Sequence, residues 1–125
     1  FQATMMGDSP RVEIREDKVS ITLLFEDGSI GTIHYFANGG SSFPKERVEV
    51  FCENAVLQMD NYRVLRGYGW NKFRTMKLFK QDKGQKACVK AFLDSISNGK
   101  ESPIPYNEII ESSRLTIQVA NALRG

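Results

Sequence analysis

The chain has 125 residues, 41% of them apolar and 26% charged, with a formal net charge of +2. That length suits one domain with one core, and that composition is globular rather than disordered. Lys and Arg are scattered, which excludes the basic stripe of a nucleic-acid binder, and no apolar run approaches the roughly 20 residues needed to cross a bilayer.

The opening Phe1-Gln2-Ala3-Thr4 lacks the basic stretch that starts a secretory signal. A strand that sets in at once, on Phe rather than Met, leads to the expectation of a longer parent chain. Residues Gln2 to Met6 are expected to form that strand.

From Lys18 to Phe25, Val19, Ile21, Leu23 and Phe25 alternate with Ser20, Thr22 and Leu24, the period of a strand. Asp27-Gly28 follows, a pair suited to a two-residue type I′ turn in which both positions take φ > 0. Ser29 to Ala37 returns as the second arm. That turn sets Phe25 opposite Ile30, Leu23 opposite Thr32, Ile21 opposite His34 and Val19 opposite Phe36, all on one face. Leu24, Thr22, Ser20, Gly31, Ile33 and Tyr35 take the other face, which is apolar enough to suggest a cover from outside the domain.

The run Asn38-Gly39-Gly40-Ser41-Ser42-Phe43-Pro44 is a loop of turn formers. Further strands are expected over Lys45 to Glu53, Ala55 to Met59, Tyr62 to Arg66 and Lys72 to Lys80, with turns at Asn54 and Asp60-Asn61. From Gln81 the period becomes helical: Cys88, Val89, Phe92, Leu93 and Ile96 share a stripe and leave Lys86, Lys90 and Asp94 outside. Asp82 is the expected N-cap and Asn98-Gly99 the stop. After the rigid connector Ser102-Pro103-Ile104-Pro105, a second helix spans Tyr106 to Leu123, with Ile109, Ile110, Ser113, Ile117 and Ala120 inward. Strands followed by helices make the class α+β: an open, mainly antiparallel sheet with two C-terminal helices packed on one face.

Cys52 and Cys88 lie far apart within apolar patterns, which reads as buried free thiols in a reducing, cytoplasmic setting, though a disulfide between them is compatible with the sequence. One histidine, His34, and no Cys-x-x-Cys pair give no basis for a metal site. No G-x-G-x-x-G, no G-x-x-x-x-G-K-[ST] and no G-x-S-x-G occurs. The chain therefore carries no catalytic constellation and no dinucleotide cradle of its own.

Four blocks in order resemble the second domain of the glucose–fructose oxidoreductase/inositol dehydrogenase/MocA family. They are the hairpin from Lys18 to Tyr35, then Phe43-Pro44-Lys45-Glu46-Arg47-Val48-Glu49-Val50-Phe51, then Asp82-Lys83-Gly84, then Pro103-Ile104-Pro105-Tyr106. Together they cover nearly the whole chain, and the pattern is most similar to a branch in which this unit follows a zinc-type alcohol dehydrogenase-like half. The resemblance implies a sheet domain like the C-terminal domain of glyceraldehyde-3-phosphate dehydrogenase, joined in the parent enzyme to a Rossmann domain that binds NAD(P). It implies a sugar, polyol or related hydroxy compound as substrate and subunit pairing through the outer sheet face. The family's catalytic Lys and acid/base His would lie upstream of Phe1, so no catalytic or cofactor-binding residue is expected here. Relatives often carry Lys-Gly-His where this chain has Lys83-Gly84-Gln85; a substrate or phosphate contact made by that His would be missing here, which puts the specificity in doubt.

The residues weighed as substrate contacts are Lys45, His34 and Lys83. Lys45 reads either as half of a solvated ion pair with Glu46 or as an ammonium that binds a substrate hydroxyl, carboxylate or phosphate. His34 reads as a satisfied histidine partly buried under the helices, or as a pocket residue. Lys83 reads as an exposed side chain, or as an anion contact near a helix start. Ile33 and Tyr35 read as interface residues. The tract Arg63, Arg66, Lys72, Arg74, Lys77 and Lys80, interleaved with Tyr68, Trp70 and Phe73, has a composition seen in single-strand binders. Acidic residues balance it across the domain, so no nucleic-acid partner and no membrane partner is expected. Two functions follow as alternatives: the substrate-side, oligomerising part of a nicotinamide-dependent oxidoreductase, inactive alone, or a stand-alone binding and dimerisation module.

Overall fold

Strands precede helices along the chain, as the change of hydrophobic period requires. The structure, a computed structural model, describes residues 1–7 and 17–125. Its elements are β1 (Gln2–Met5), β2 (Lys18–Leu24), β3 (Ile30–Phe36), β4 (Arg47–Cys52), β5 (Ala55–Asp60), β6 (Val64–Tyr68), β7 (Thr75–Lys77), α1 (Gln85–Ser97) and α2 (Tyr106–Arg124). The class is α+β with antiparallel pairing throughout. The strands do not form one sheet, however. They divide into a three-stranded sheet, β1-β2-β3, and a four-stranded sheet, β4-β5-β6-β7. The break falls at Gly39/Gly40, where the chain also parts into two compact units, Phe1–Gly39 with Ile104–Gly125 and Gly40–Pro103. The loop of turn formers at residues 38–44 spans that break.

In the first unit β2 is central, pairing Met5 with Val19 on one side and Tyr35 with Val19 on the other. The hairpin register differs by one residue from the sequence expectation: Ser20 faces His34, Ile21 faces Ile33 and Leu23 faces Gly31. The loop is the cause. Gly28 N–H bonds to Phe25 O and Phe25 N–H to Ser29 O, both at 3.0 Å, and within the loop only Gly28 has a positive φ, 84°. This is a three-residue connection with a left-handed glycine, not a type I′ pair. Because side chains alternate, the slip changes which residues oppose one another across the pair. His34 consequently sits opposite Ser20 rather than Ile21.

α2 begins after Pro105, whose carbonyl accepts from Glu108 and Ile109 N–H. Proline needs no donor at that position and its ring blocks any earlier turn. The helix lies against β1. Its inward stripe is Leu115, Val119 and Leu123, with Val119 only 7% exposed. Of the expected stripe, Ile109, Ile110, Ser113 and Ile117 stand open and Ala120 is partly buried. Apolar residues occur on two sides of this helix, and the i, i+4, i+8 set nearer its C-terminus is the one that packs.

In the second unit the strands form a meander whose two faces differ. Glu49, Gln58 and Arg66 oppose one another across β4, β5 and β6, and Gln58 Nε2 donates to Glu49 Oε1 at 2.8 Å. Arg66 donates to Asp60 on the same face, and Arg47 reaches Asp60 at 3.5 Å. The reverse face carries Val48, Val50, Leu57, Met59, Leu65 and Met76. It stays partly open, with Val48, Val50 and Met76 near half exposure. α1 does not cover it. Its apolar residues Val89, Phe92, Leu93 and Ile96 are all exposed, and among the described residues α2 is the helix that packs on a strand.

The boundaries of α1 follow its ends. Asp82 is not the N-cap, which is Gly84 at φ 77°; Asp82 accepts from Gly84 N–H at 2.8 Å and shapes the turn before the helix. At the far end Gly99 N–H bonds to Ile96 O and Lys100 N–H to Ser95 O, the paired bonds of a Schellman stop with Gly99 left-handed at φ 60°. Both cysteines are free, and both are exposed rather than buried. Among the described residues, no helix is long and apolar enough to cross a membrane.

Candidate functional site

The site of most interest is built at the β5–β6 turn of the second unit. Asn61 and Tyr62 both take φ 50°, a left-handed conformation unfavourable for tyrosine by about 1 kcal/mol or more. That turn aims its backbone at two distant segments. Asn61 N–H bonds to Glu46 O at 2.6 Å, at the entrance to β4. Asn61 O and Oδ1 accept from Gln81 Nε2 at 3.0 and 2.8 Å, and Tyr62 O accepts from Asp82 N–H at 3.1 Å. The segment ahead of α1 is thereby pinned beside the segment ahead of β4.

Two of the three residues singled out from the sequence meet there. Lys45 and Lys83 line one concavity of about 410 Å³, together with Ser41, Ser42, Asn61 and Gln81. Lys83 donates to Glu46 Oε1, and its ammonium lies 5.9 Å from the centroid of the Tyr62 ring. Glu46 is thus the partner of Lys83 and not of its neighbour Lys45. Lys45 is exposed and makes no ion pair among the described residues. The other oxygen of Glu46, Oε2, is buried without a hydrogen-bond partner. One unopposed ammonium, one paired ammonium and two hydroxyls, beside the mutually bonded amides of Asn61 and Gln81, make a surface suited to hydrogen-bonding a ligand rich in hydroxyls.

His34 does not line this concavity. It lies on β3 of the first unit, exposed, with Nδ1 3.0 Å from Ser20 Oγ and its ring stacked on Phe36 at 5.5 Å between centroids. The expectation of a histidine buried under the helices is corrected by the register of its hairpin. Ile33 and Tyr35 are about half exposed.

Sequence reasoning did not find Asn61, Gln81 or the Glu46–Lys83 pair. Asn61 was legible only as a turn former, and nothing in Gln81 announces a partner 20 positions away.

A second concavity, of about 600 Å³, opens in the loop joining β6 to β7, lined among others by Arg66, Tyr68, Trp70, Asn71 and Arg74. Among the described residues, no group of three or more His, Cys, Asp or Glu is placed to hold a metal ion. Comparison with protein-family models, with curated proteins and with solved structures gave no match.

Proposed function

We propose that this chain is the substrate-side domain of a nicotinamide-dependent oxidoreductase acting on a sugar, polyol or related hydroxy compound, with the cofactor and the hydride chemistry supplied by another domain of the parent enzyme. The observation that carries the reading is the meeting of Lys45 and Lys83 at one concavity. They come from two separate blocks of the resemblance, 37 positions apart for the Glu46–Lys83 pair that joins them. In this reading Lys45 binds a hydroxyl oxygen of the substrate, and the Glu46–Lys83 pair fixes the wall it stands on.

The half-open apolar face of the β4–β7 sheet and the bare stripe of α1 add support, because apolar surfaces of this kind are usually covered in a working assembly. A cofactor domain or a second subunit would supply that cover. A free-standing dimerisation module accounts for the same apolar surface but gives no reason for the lysine-lined concavity.

The test is to express the entire reading frame that carries this chain and follow NAD(P) reduction with a panel of polyols and sugars. Lys45→Ala is expected to raise KM with little change in kcat, the mark of an interaction made equally in ground and transition states. A frame that encodes no dinucleotide-binding unit, or an active enzyme indifferent to Lys45→Ala, would reject the proposal.

A further inference from the structure

The concavity in the β6–β7 loop is separate from the lysine-lined one and is built for different chemistry. Its loop is closed at the base by Gly67 N–H bonding to Arg74 O at 2.8 Å. Gly67 allows the loop to fold tightly, since a Cβ there would lie 2.6 Å from Phe73 Cδ1 and 3.1 Å from Trp70 Cδ1. The indole N–H of Trp70 donates to Val56 O at 3.2 Å, so its one polar atom is satisfied by the protein while the side chain stays 41% exposed. This tethered, partly open indole forms a ready stacking surface.

The charge at this concavity is specific too. Arg66 is committed to Asp60 and also reaches Gln58 Oε1 at 3.4 Å, so its charge is largely matched. Arg74 is exposed and forms no ion pair among the described residues. One unopposed guanidinium, a planar fork that pairs well with a carboxylate, remains at the concavity that Trp70 lines.

We propose that the β6–β7 loop is a binding site for a planar ring carrying a single negative charge, the chemistry of an aromatic carboxylate. The ring stacks on Trp70, and the carboxylate pairs with Arg74. This site is independent of the dehydrogenase reading, and its test does not require the parent enzyme to be active.

Trp70 is the one tryptophan of the chain, so its fluorescence reports this loop directly. The 125-residue chain is titrated with benzoate, with benzamide, which has the ring without the charge, and with cyclohexanecarboxylate, which has the charge without the planar ring. Benzoate is expected to give a saturable change that weakens with added salt, and the other two to bind about tenfold more weakly or not at all. Arg74→Ala is expected to weaken benzoate about tenfold and Arg74→Lys to fall between. No saturable response, an equal response to all three compounds, or an unchanged response in Arg74→Ala would each overturn the proposal. Tighter binding of a single-stranded oligonucleotide than of benzoate, lost in Arg74→Ala, would likewise overturn it and assign the loop to nucleic acid.

Discussion

Lys83 donates a hydrogen bond to Glu46, joining the turn before α1 to the residue that leads into β4. Both side chains stay about a third open to solvent, 36% and 32%, so the pair is partly screened and contributes on the order of 0.2–1 kcal/mol. The two partners are not equivalent, because Glu46 Oε2 is already buried without a donor. Removing Lys83 leaves a carboxylate with one oxygen buried and neither paired, whereas removing Glu46 takes the orphaned oxygen away as well. Lys83→Ala is therefore expected to lower stability by about 1 kcal/mol and Glu46→Ala by less. Urea unfolding of both single variants and the double variant measures this, and a costlier Glu46→Ala would contradict it.

The β4–β5 turn offers a gain. Cys52 opposes Ala55, and the two residues between them, Glu53 and Asn54, take φ 45° and 62°. This is the geometry of a type I′ turn, which glutamate fits poorly and which Asn-Gly fits well. Replacing Glu53→Asn together with Asn54→Gly should stabilise the chain by about 0.5–1 kcal/mol. A urea midpoint that fails to rise would show that the strain at Glu53 is already relieved elsewhere.

Close approach at two glycines should show as sharply graded losses. A Cβ at Gly67 would meet Phe73 Cδ1 at 2.6 Å and the Phe73 carbonyl at 3.0 Å. At Gly69 it would meet the Asn54 carbonyl at 2.6 Å, with φ at 76°. Gly40 has nothing within 4 Å. Gly67→Ala is expected to cost about 1–3 kcal/mol, Gly69→Ala more because backbone strain adds to the clash, and Gly40→Ala under about 0.5 kcal/mol. Thermal melts that placed all three variants together would remove the close packing of the β6–β7 loop from the account.

What the sequence disclosed, and what it withheld, divides along the range of the interactions. Pro105 ahead of α2, Gly99 after α1 and the alternation from Lys18 to Leu24 are local devices, and each element stands where they put it. The hairpin register was not local in the same sense. Asp27-Gly28 fits a two-residue turn by composition, but Asp27 spends its carboxylate on Ser29 N–H at 2.9 Å and leaves Gly28 alone to reverse the chain. That one-residue difference moved His34 away from Ile21. Helix stripes failed for a related reason: the periodicity of α2 permits more than one inward face, and only the strand it meets selects Val119. At the site, Lys45 and Lys83 were legible as charged residues beside loops. The left-handed turn at Asn61 and Tyr62 that brings their segments together was not, since neither residue type demands that conformation.

Asp27 gives the clearest pH signature. Its carboxyl is held below its ordinary value of 3.8, first by the backbone N–H of Ser29 and then by the Ser29 hydroxyl. A carboxylate with a depressed folded-state pKa stabilises the folded hairpin at pH values above the unfolded pKa, and this contribution fades as pH falls through the lower folded-state value. The Ser29 amide is the reporter, because it carries the bond that protonation breaks. Its NMR shift should titrate with a midpoint below 3.8, and Asp27→Asn should abolish that titration while keeping an acceptor for the same N–H. A midpoint at or above 3.8, or a titration that persists in Asp27→Asn, would mean that the bond to Ser29 does not hold the charge. Amide exchange at Ile30, next to the loop, should quicken over the same acid range if the hairpin end frays when the bond is lost.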